Sequence, residues 1–245
     1  MTLARRPFLV LAALGALATP LLADAADVVR GSGVAASQRR DVGAFGGVAL
    51  GGPFAVVLRP AAREAVEVTA DDNLMPLIET TVRGSGSERT LHIEVAKNAR
   101  IEASTKVVVT VDVVRLDRVA VGGSGSIDGK AIRSKKLDAA IGGSGSIGFV
   151  ELDVDELAVA IGGSGTFRAD GRAKKLAVNV AGSGKSETEN LAAADVTVAV
   201  AGSGDARVRA DNALSASIAG SGDVYHTGAA TPRIAIVGSG RVKRI

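Results

Sequence analysis

Leu137-Asp138-Ala139-Ala140-Ile141-Gly142-Gly143-Ser144-Gly145-Ser146-Ile147 is followed twenty residues later by Leu157-Ala158-Val159-Ala160-Ile161-Gly162-Gly163-Ser164-Gly165-Thr166-Phe167. In both stretches apolar side chains alternate up to a Gly-Ser-Gly corner, and alternation resumes beyond it. Strict alternation is the period of a strand with one buried face. The same corner recurs with its serine at Ser124, Ser144, Ser164, Ser183, Ser203, Ser221 and Ser239, so successive spacings are 20, 20, 19, 20, 18 and 18 residues. Three positions before each serine stand Val121, Ile141, Ile161, Val180, Val200, Ile218 and Ile236, and three positions after it Ile127, Ile147, Phe167, Ser186, Ala206, Val224 and Val242.

One such unit cannot bury its apolar stripe alone. Neighbouring units must stack, and a period near twenty fits one turn of an all-β solenoid, a β-helix with about 18–20 residues per turn. Glycine suits the corners because it reaches positive φ and lets stacked backbones approach closely. The serine hydroxyls are expected to form a ladder at the bend, and the seven serines are read as structural corners.

The register carries a second expectation. Lys135-Lys136, Asp155-Glu156 and Lys174-Lys175 fall at the same offset before successive serines. Direct stacking places Glu156 between Lys136 and Lys175, each opposite-charge pair contributing roughly 0.2–1 kcal/mol.

Outside the repeat, Arg5-Arg6, the apolar run from Phe8 to Leu22 and Ala23-Asp24-Ala25 have the order of a secretory signal peptide cleaved after Ala25. The run falls short of the roughly 20 residues of a spanning helix, so the mature chain is expected to have no transmembrane helix. It is expected to be exported, whether periplasmic, on the outer surface or secreted. Residues 26–40 read as a polar linker. Residues 41–245 read as one domain, in which strands of 41–115 begin or cap the coil and 116–245 form the repeat turns. Pro76 limits Asn73 to Glu79 to a turn or a single helical turn.

Composition excludes several function classes. There is no cysteine, so no disulfide or thiolate metal site holds the fold. The formal net charge is only +3, with five Phe, one Tyr and no Trp, and this argues against nucleic-acid binding through a basic face or stacking platforms. The glycine-flanked serines lack the G-x-S-x-G spacing, and two histidines, His92 and His226, cannot serve seven equivalent serines. Both histidines are expected on the surface. No helix follows the glycine turns to supply a phosphate site. Asp205 and Asp223, stacked on neighbouring turns, are the candidate ligands of a cation, but calcium takes six to eight oxygens and Lys185 and Arg241 flank the pair. No catalytic residue and no cofactor is expected.

Gly51-Gly52-Pro53-Phe54-Ala55-Val56, Asp71-Asp72-Asn73-Leu74, the serial Gly-Ser-Gly corners, and Ala219-Gly220-Ser221-Gly222-Asp223-Val224-Tyr225 before Val237-Gly238-Ser239-Gly240 together carry a resemblance. From Phe45 to Ile245 the chain resembles the head GIN domain family of bacterial envelope proteins, described as auto-transporter adhesins. The resemblance implies a right-handed β-helix, a place in the envelope or outside the cell, and no catalytic residues to carry over. Ser126, Ser146, Thr166 and Lys185 stand where the family often has aspartate, and they interrupt any continuous aspartate ladder.

The expectation is therefore a non-enzymatic envelope protein whose β-helix surface serves adhesion or binding of a macromolecule of the envelope or extracellular surface. Two alternatives stand beside it. A carbohydrate-active β-helix enzyme requires paired carboxylates in a groove. An envelope sensory module has no sequence signature that separates it from the first reading.

Overall fold

The computed structural model describes residues 28–245, so the signal-peptide reading for residues 1–25 lies outside the described residues. The architecture is a β-solenoid of about six turns. The strands are β1 (Val28–Arg30), β2 (Ala35–Arg40), β3 (Gly47–Gly51), β4 (Ala55–Pro60), β5 (Ala65–Asp71), β6 (Ile78–Arg83), β7 (Thr90–Val95), β8 (Arg100–Glu102) and β9 (Val108–Val113) in the first half. The second half comprises β10 (Arg118–Gly123), β11 (Ser126–Lys130), β12 (Arg133–Gly143), β13 (Ser146–Gly163), β14 (Thr166–Gly182), β15 (Lys185–Gly202), β16 (Asp205–Gly220), β17 (Asp223–Thr227), β18 (Pro232–Gly238) and β19 (Arg241–Arg244).

Alternation in the sequence becomes columns in the structure. Val48, Val119, Ala139, Val159, Val178, Val198, Ala216 and Ile234 pair in one parallel rung after another. Every member of this column except the last is at most 3 % exposed. Burying a valine, leucine or isoleucine side chain contributes roughly 1.5–3 kcal/mol, and no unit obtains this without a neighbour. A second sheet, beyond the corner, stacks Val56, Ile127, Ile147 and Phe167 inward, followed one step along by Leu58, Gly129, Phe149 and Ala169. Phe149 occupies the space above Gly129, where a Cβ would stand 2.8 Å from its ring.

The first turn of the coil is Gly47 to Pro60, not the first Gly-Ser-Gly unit. After β4 the chain leaves the stack, returns as β7 and β9 on the outer side of that turn, and then crosses to β10 on the inner side. Antiparallel strands finish this end: β6 on β7, β5 on β9, and β2 on β5. A 3-10 turn, Asp72–Leu77, contains Pro76 and buries Leu74 and Met75. Such covering of a solenoid's end removes exposed core and strand edges.

Residues 28–40 are not a linker, because β1 pairs with β8 and β2 with β5. Gly31-Ser32-Gly33 between them is clamped by the Asp71-Asp72-Asn73 stretch. The buried Asp71 carboxylate accepts the N–H groups of Gly33 at 2.9 Å, Ser104 at 2.9 Å and Thr105 at 3.1 Å. Asn73 Oδ1 accepts the Ser32 N–H at 2.9 Å, and Asp72 accepts the Ser32 hydroxyl. A Cβ at Gly31 would lie 2.2 Å from Asp71 Oδ2, so only glycine fits. Although burial opposes ionisation, these three N–H donors hold the Asp71 carboxyl below the usual carboxylate range.

Candidate functional site

At each corner the two glycines do different jobs. The first adopts positive φ, as at Gly143 (φ 114), Gly163 (φ 112) and Gly182 (φ 117). The second is pressed onto the turn beneath: a Cβ on Gly165 would stand 2.4 Å from Ile141 Cγ2 and 2.7 Å from the Gly145 oxygen. The serines between them, Ser124 to Ser239, are all exposed. Contacts between turns run through the backbone, not through the hydroxyls. Ser144, Ser164 and Ser203 donate their N–H groups to Gly123, Gly143 and Gly182 at 2.9 Å each. Water solvates the exposed hydroxyls at no cost, so a hydroxyl ladder has no buried polar group to satisfy.

Asp205 and Asp223 take a backbone role. In the turns spaced by 19 or 20 residues, the N–H two positions after the serine donates to a glycine carbonyl of the preceding turn, as Thr166 does to Gly145 at 3.0 Å. In the 18-residue turns a carboxylate accepts that donor instead. Asp205 Oδ1 accepts from the Asp223 N–H at 3.1 Å, and Asp223 Oδ1 from the Arg241 N–H at 3.0 Å. Asp223 also accepts the Tyr225 hydroxyl at 3.2 Å and the Lys243 ammonium at 3.4 Å. Partial burial works against ionisation, yet these donors hold its carboxyl below the usual range. With those oxygens already engaged, the pair offers little to a cation. Among the described residues, no cluster of three His, Asp or Glu forms that could hold a metal.

The charged ladder lies on the third side. Glu156 is in register with Lys136 on one side and Lys175 on the other. Its carboxylate pairs with Lys175 at 3.3 Å, while Lys136 turns to Asp138 at 3.2 Å. Beside it Lys174 meets Asp155 at 2.7 Å and Arg172 grips Asp153 with two hydrogen bonds of 2.6 and 2.8 Å. The hydrogen bond from Arg172 draws the Asp153 carboxyl down, and the one to Asp155 draws the Lys174 ammonium up. All of these pairs are solvent-exposed, so solvent screening leaves each a small contribution to stability. They align the turns and engage most of the charge on this side.

The second sheet carries a concavity that the sequence does not single out. A groove of about 780 Å³ runs along the coil axis across β4, β11, β13, β14 and β15. Its floor is apolar, with Val57, Gly148, Phe149 and Val150, and its side carries charge. The cations are tied: Arg59 to Asp112 at 2.9 Å, Lys130 to Glu151 at 3.3 Å, and Arg168 to Glu187 at 2.5 Å. Among the described residues Asp128, Asp170 and Glu189 make no ion pair, so the groove presents an excess of negative charge. Gly148 sits in the outward column between Asp128 and Arg168 and keeps the floor open.

This groove follows the bend where the coil is least regular. The ladder slips between Phe149 and Leu152, between Arg168 and Gly171, and between Thr188 and Ala192. At the same bend Ala131 (φ 57) and Glu151 (φ 59) hold left-handed backbone without being glycine. Bulges and left-handed residues concentrate beside functional sites, where they re-aim side chains. The signals in the sequence were the uneven spacing of the serines and the glycine at 148. Neither reveals a groove until the turns are stacked.

His92 lies on the outward side of β7 between buried Leu91 and Ile93 and is half-buried. His226 is not a surface residue: it is 5 % exposed and stands in the inward column above Val208. Its place five positions after Ser221 makes it a core position, equivalent to Phe149. Burial, helped by the Arg244 guanidinium, pushes its imidazole pKa down, and Nδ1 has no hydrogen-bond partner.

A capped parallel β-solenoid with glycine corners defines a class of repeat proteins that present an extended surface. Residues 44–230 match the family described as "Putative auto-transporter adhesin, head GIN domain". The match spans most of the chain, and the protein belongs to this family. Among solved structures the fold is shared with a "putative adhesin" from Bacteroides fragilis, at 22 % identity and a TM-score of 0.81 over 89 % of this chain and 100 % of that one. It is also shared with a "putative lipid binding protein" from Parabacteroides distasonis, at 22 % identity and TM-score 0.73, again over 89 % and 100 %. A "putative adhesin" from the same species matches at 25 % identity and TM-score 0.69 with the same coverage. No curated protein matches significantly. No helix among the described residues is long and apolar enough to cross a membrane.

Proposed function

We propose that this is a non-enzymatic exported envelope protein that holds an extended macromolecule of the envelope or extracellular surface in the groove of the second sheet. The observation that carries the reading is the coincidence of the groove with the slipped, strained bend, on a coil whose other features are accounted for by stacking. A groove that crosses five rungs, four spacings or about 19 Å at 4.8 Å each, with its apolar floor at the β4 to β13 end, suits a polymer lying along the axis. The family's adhesin description supports a binding role of this kind.

Filling the groove tests it. Gly148→Tyr is tolerable because the atom nearest its Cβ is the flexible Asp128 carboxylate, 2.7 Å away. Immobilised wild type should retain a component of a solubilised envelope fraction that the variant, folded to the same far-UV circular dichroism, retains at least tenfold less. Equal retention by both proteins rules the groove out.

The carboxylates Asp128, Asp170, Glu187 and Glu189 along this groove favour one other reading, a carbohydrate-active β-helix enzyme. That activity would release reducing sugar from envelope polysaccharide and be abolished by Glu189→Gln or Asp170→Asn. If wild type and both variants release none, this reading fails.

A further inference from the structure

The two ends of the coil differ. At the first, antiparallel strands and a 3-10 turn cover the core. At the other, among the described residues β18 pairs only with β16 and β19 only with β17. Each therefore keeps one edge whose alternate N–H and C=O groups have no partner. The core columns surface there as well: Ile234 is 50 % exposed and Ile236 39 %, whereas Ala216 and Ile218 one turn earlier are 2 % and 1 % exposed.

Charge at this end is one-sided. Residues 224–245 include Arg233, Arg241, Lys243 and Arg244 and no Asp or Glu. Lys243 is engaged by Asp223 at 3.4 Å and lies over the Tyr225 ring, and Arg244 donates to the Gly228 carbonyl at 3.0 Å. Arg233 and Arg241 make no ion pair among the described residues, and they flank the exposed isoleucines.

From these features we infer that the open end receives an extended acidic segment of a partner protein, added to β18 and β19 as a further rung. Backbone pairing at the edge supplies attachment, alternate apolar side chains cover Ile234 and Ile236, and carboxylates meet Arg233 and Arg241. Strand addition of this kind joins main-chain hydrogen bonds to side-chain specificity. A second copy of the chain fits poorly. Two such ends would bring like charges together over a face of roughly 23 by 10 Å, well below the ~800 Å² per partner of a stable interface. The inference is independent of the groove.

The probe is a fluorescein-labelled thirteen-residue peptide, long enough to lie along residues 232–244, that alternates valine and glutamate on either side of a central Gly-Ser-Gly, with a valine–lysine peptide of the same design as control. Fluorescence anisotropy should show saturable binding of the acidic peptide and at least tenfold weaker binding of the basic one. The double variant Arg233→Glu, Arg241→Glu should lose at least tenfold in affinity and invert the preference. Hydrogen exchange should slow in residues 232–244 on binding, and not in β2 or β6. Equal binding of both peptides, protection at the capped end, or protection in the free protein of the alternate β18 amides that point away from β16 would each overturn the inference.

Discussion

Consider three neighbouring single substitutions at one corner: Gly163→Ala, Ser164→Ala and Gly165→Ala. The Ser164 hydroxyl is exposed, and the N–H that joins this residue to Gly143 at 2.9 Å is kept in alanine. The change should stay within about 0.5 kcal/mol of wild type. Gly165→Ala drives a methyl group to 2.4 Å from Ile141 Cγ2, where carbon atoms prefer about 3.5–4.0 Å. The turns must part by about an ångström or the Gly145 carbonyl must tilt away from the Thr166 N–H. Overpacking costs about 1–3 kcal/mol and the weakened hydrogen bond about 1 kcal/mol more, so a loss of roughly 2–4 kcal/mol is expected. Gly163→Ala adds a side chain at φ 112, and its Cβ meets the Gly143 oxygen at 2.7 Å. Strain of about 1–3 kcal/mol plus the contact gives a similar loss. Urea unfolding followed by circular dichroism reads all three as midpoint shifts at constant m. A Ser164→Ala loss above about 1 kcal/mol would restore the hydroxyl ladder, and a Gly165→Ala loss below about 0.5 kcal/mol would refute the packing argument.

Two further outcomes are expected. The depressed imidazole of His226 means that the unfolded chain binds a proton more readily than the folded one between the folded pKa and the ordinary 6.5. Stability is therefore full above pH 6.5 and declines as pH falls through that window; thermal melts of His226→Leu should be flatter across it than wild type, and an unchanged slope would locate the titration elsewhere. Asp205→Ala removes the acceptor of the Asp223 N–H and should cost about 1 kcal/mol, a shift of roughly 2–4 °C in Tm. Asp205→Asn keeps an accepting oxygen and should recover most of it, and equal damage by both would exclude the backbone role.

The period, the alternation and the corner glycines made the coil legible, because each is a local consequence of stacking identical turns. The facing of Glu156 with Lys136 and Lys175 follows from the same count. What escaped depends on partners distant in sequence. Gly31-Ser32-Gly33 looks like a loop until Asp71 to Asn73, some forty residues on, close over it. The first turn, at Gly47 to Pro60, carries proline where later corners carry serine, and its neighbour in the stack arrives only after an excursion through β5 and β6. The polarity of His226 points to the surface, whereas its position points to the core, since its offset from Ser221 equals that of buried Phe149 from Ser144.

The division of labour between the two bends accounts for where function can reside. At the Gly-Ser-Gly bend every turn repeats the same backbone contacts, and added atoms collide with the turn below, so sequence there is held nearly constant by packing. Turn length nevertheless varies between 18 and 20 residues. Asp205 and Asp223 absorb the shortening locally by accepting N–H groups that glycine carbonyls take elsewhere. The remaining variation is expelled to the opposite bend, where the ladder slips at Phe149, Arg168 and Thr188 and no neighbouring turn dictates which side chain must follow. A coil built in this way can change the chemistry along its groove one turn at a time without disturbing the column of glycines that keeps the turns in register.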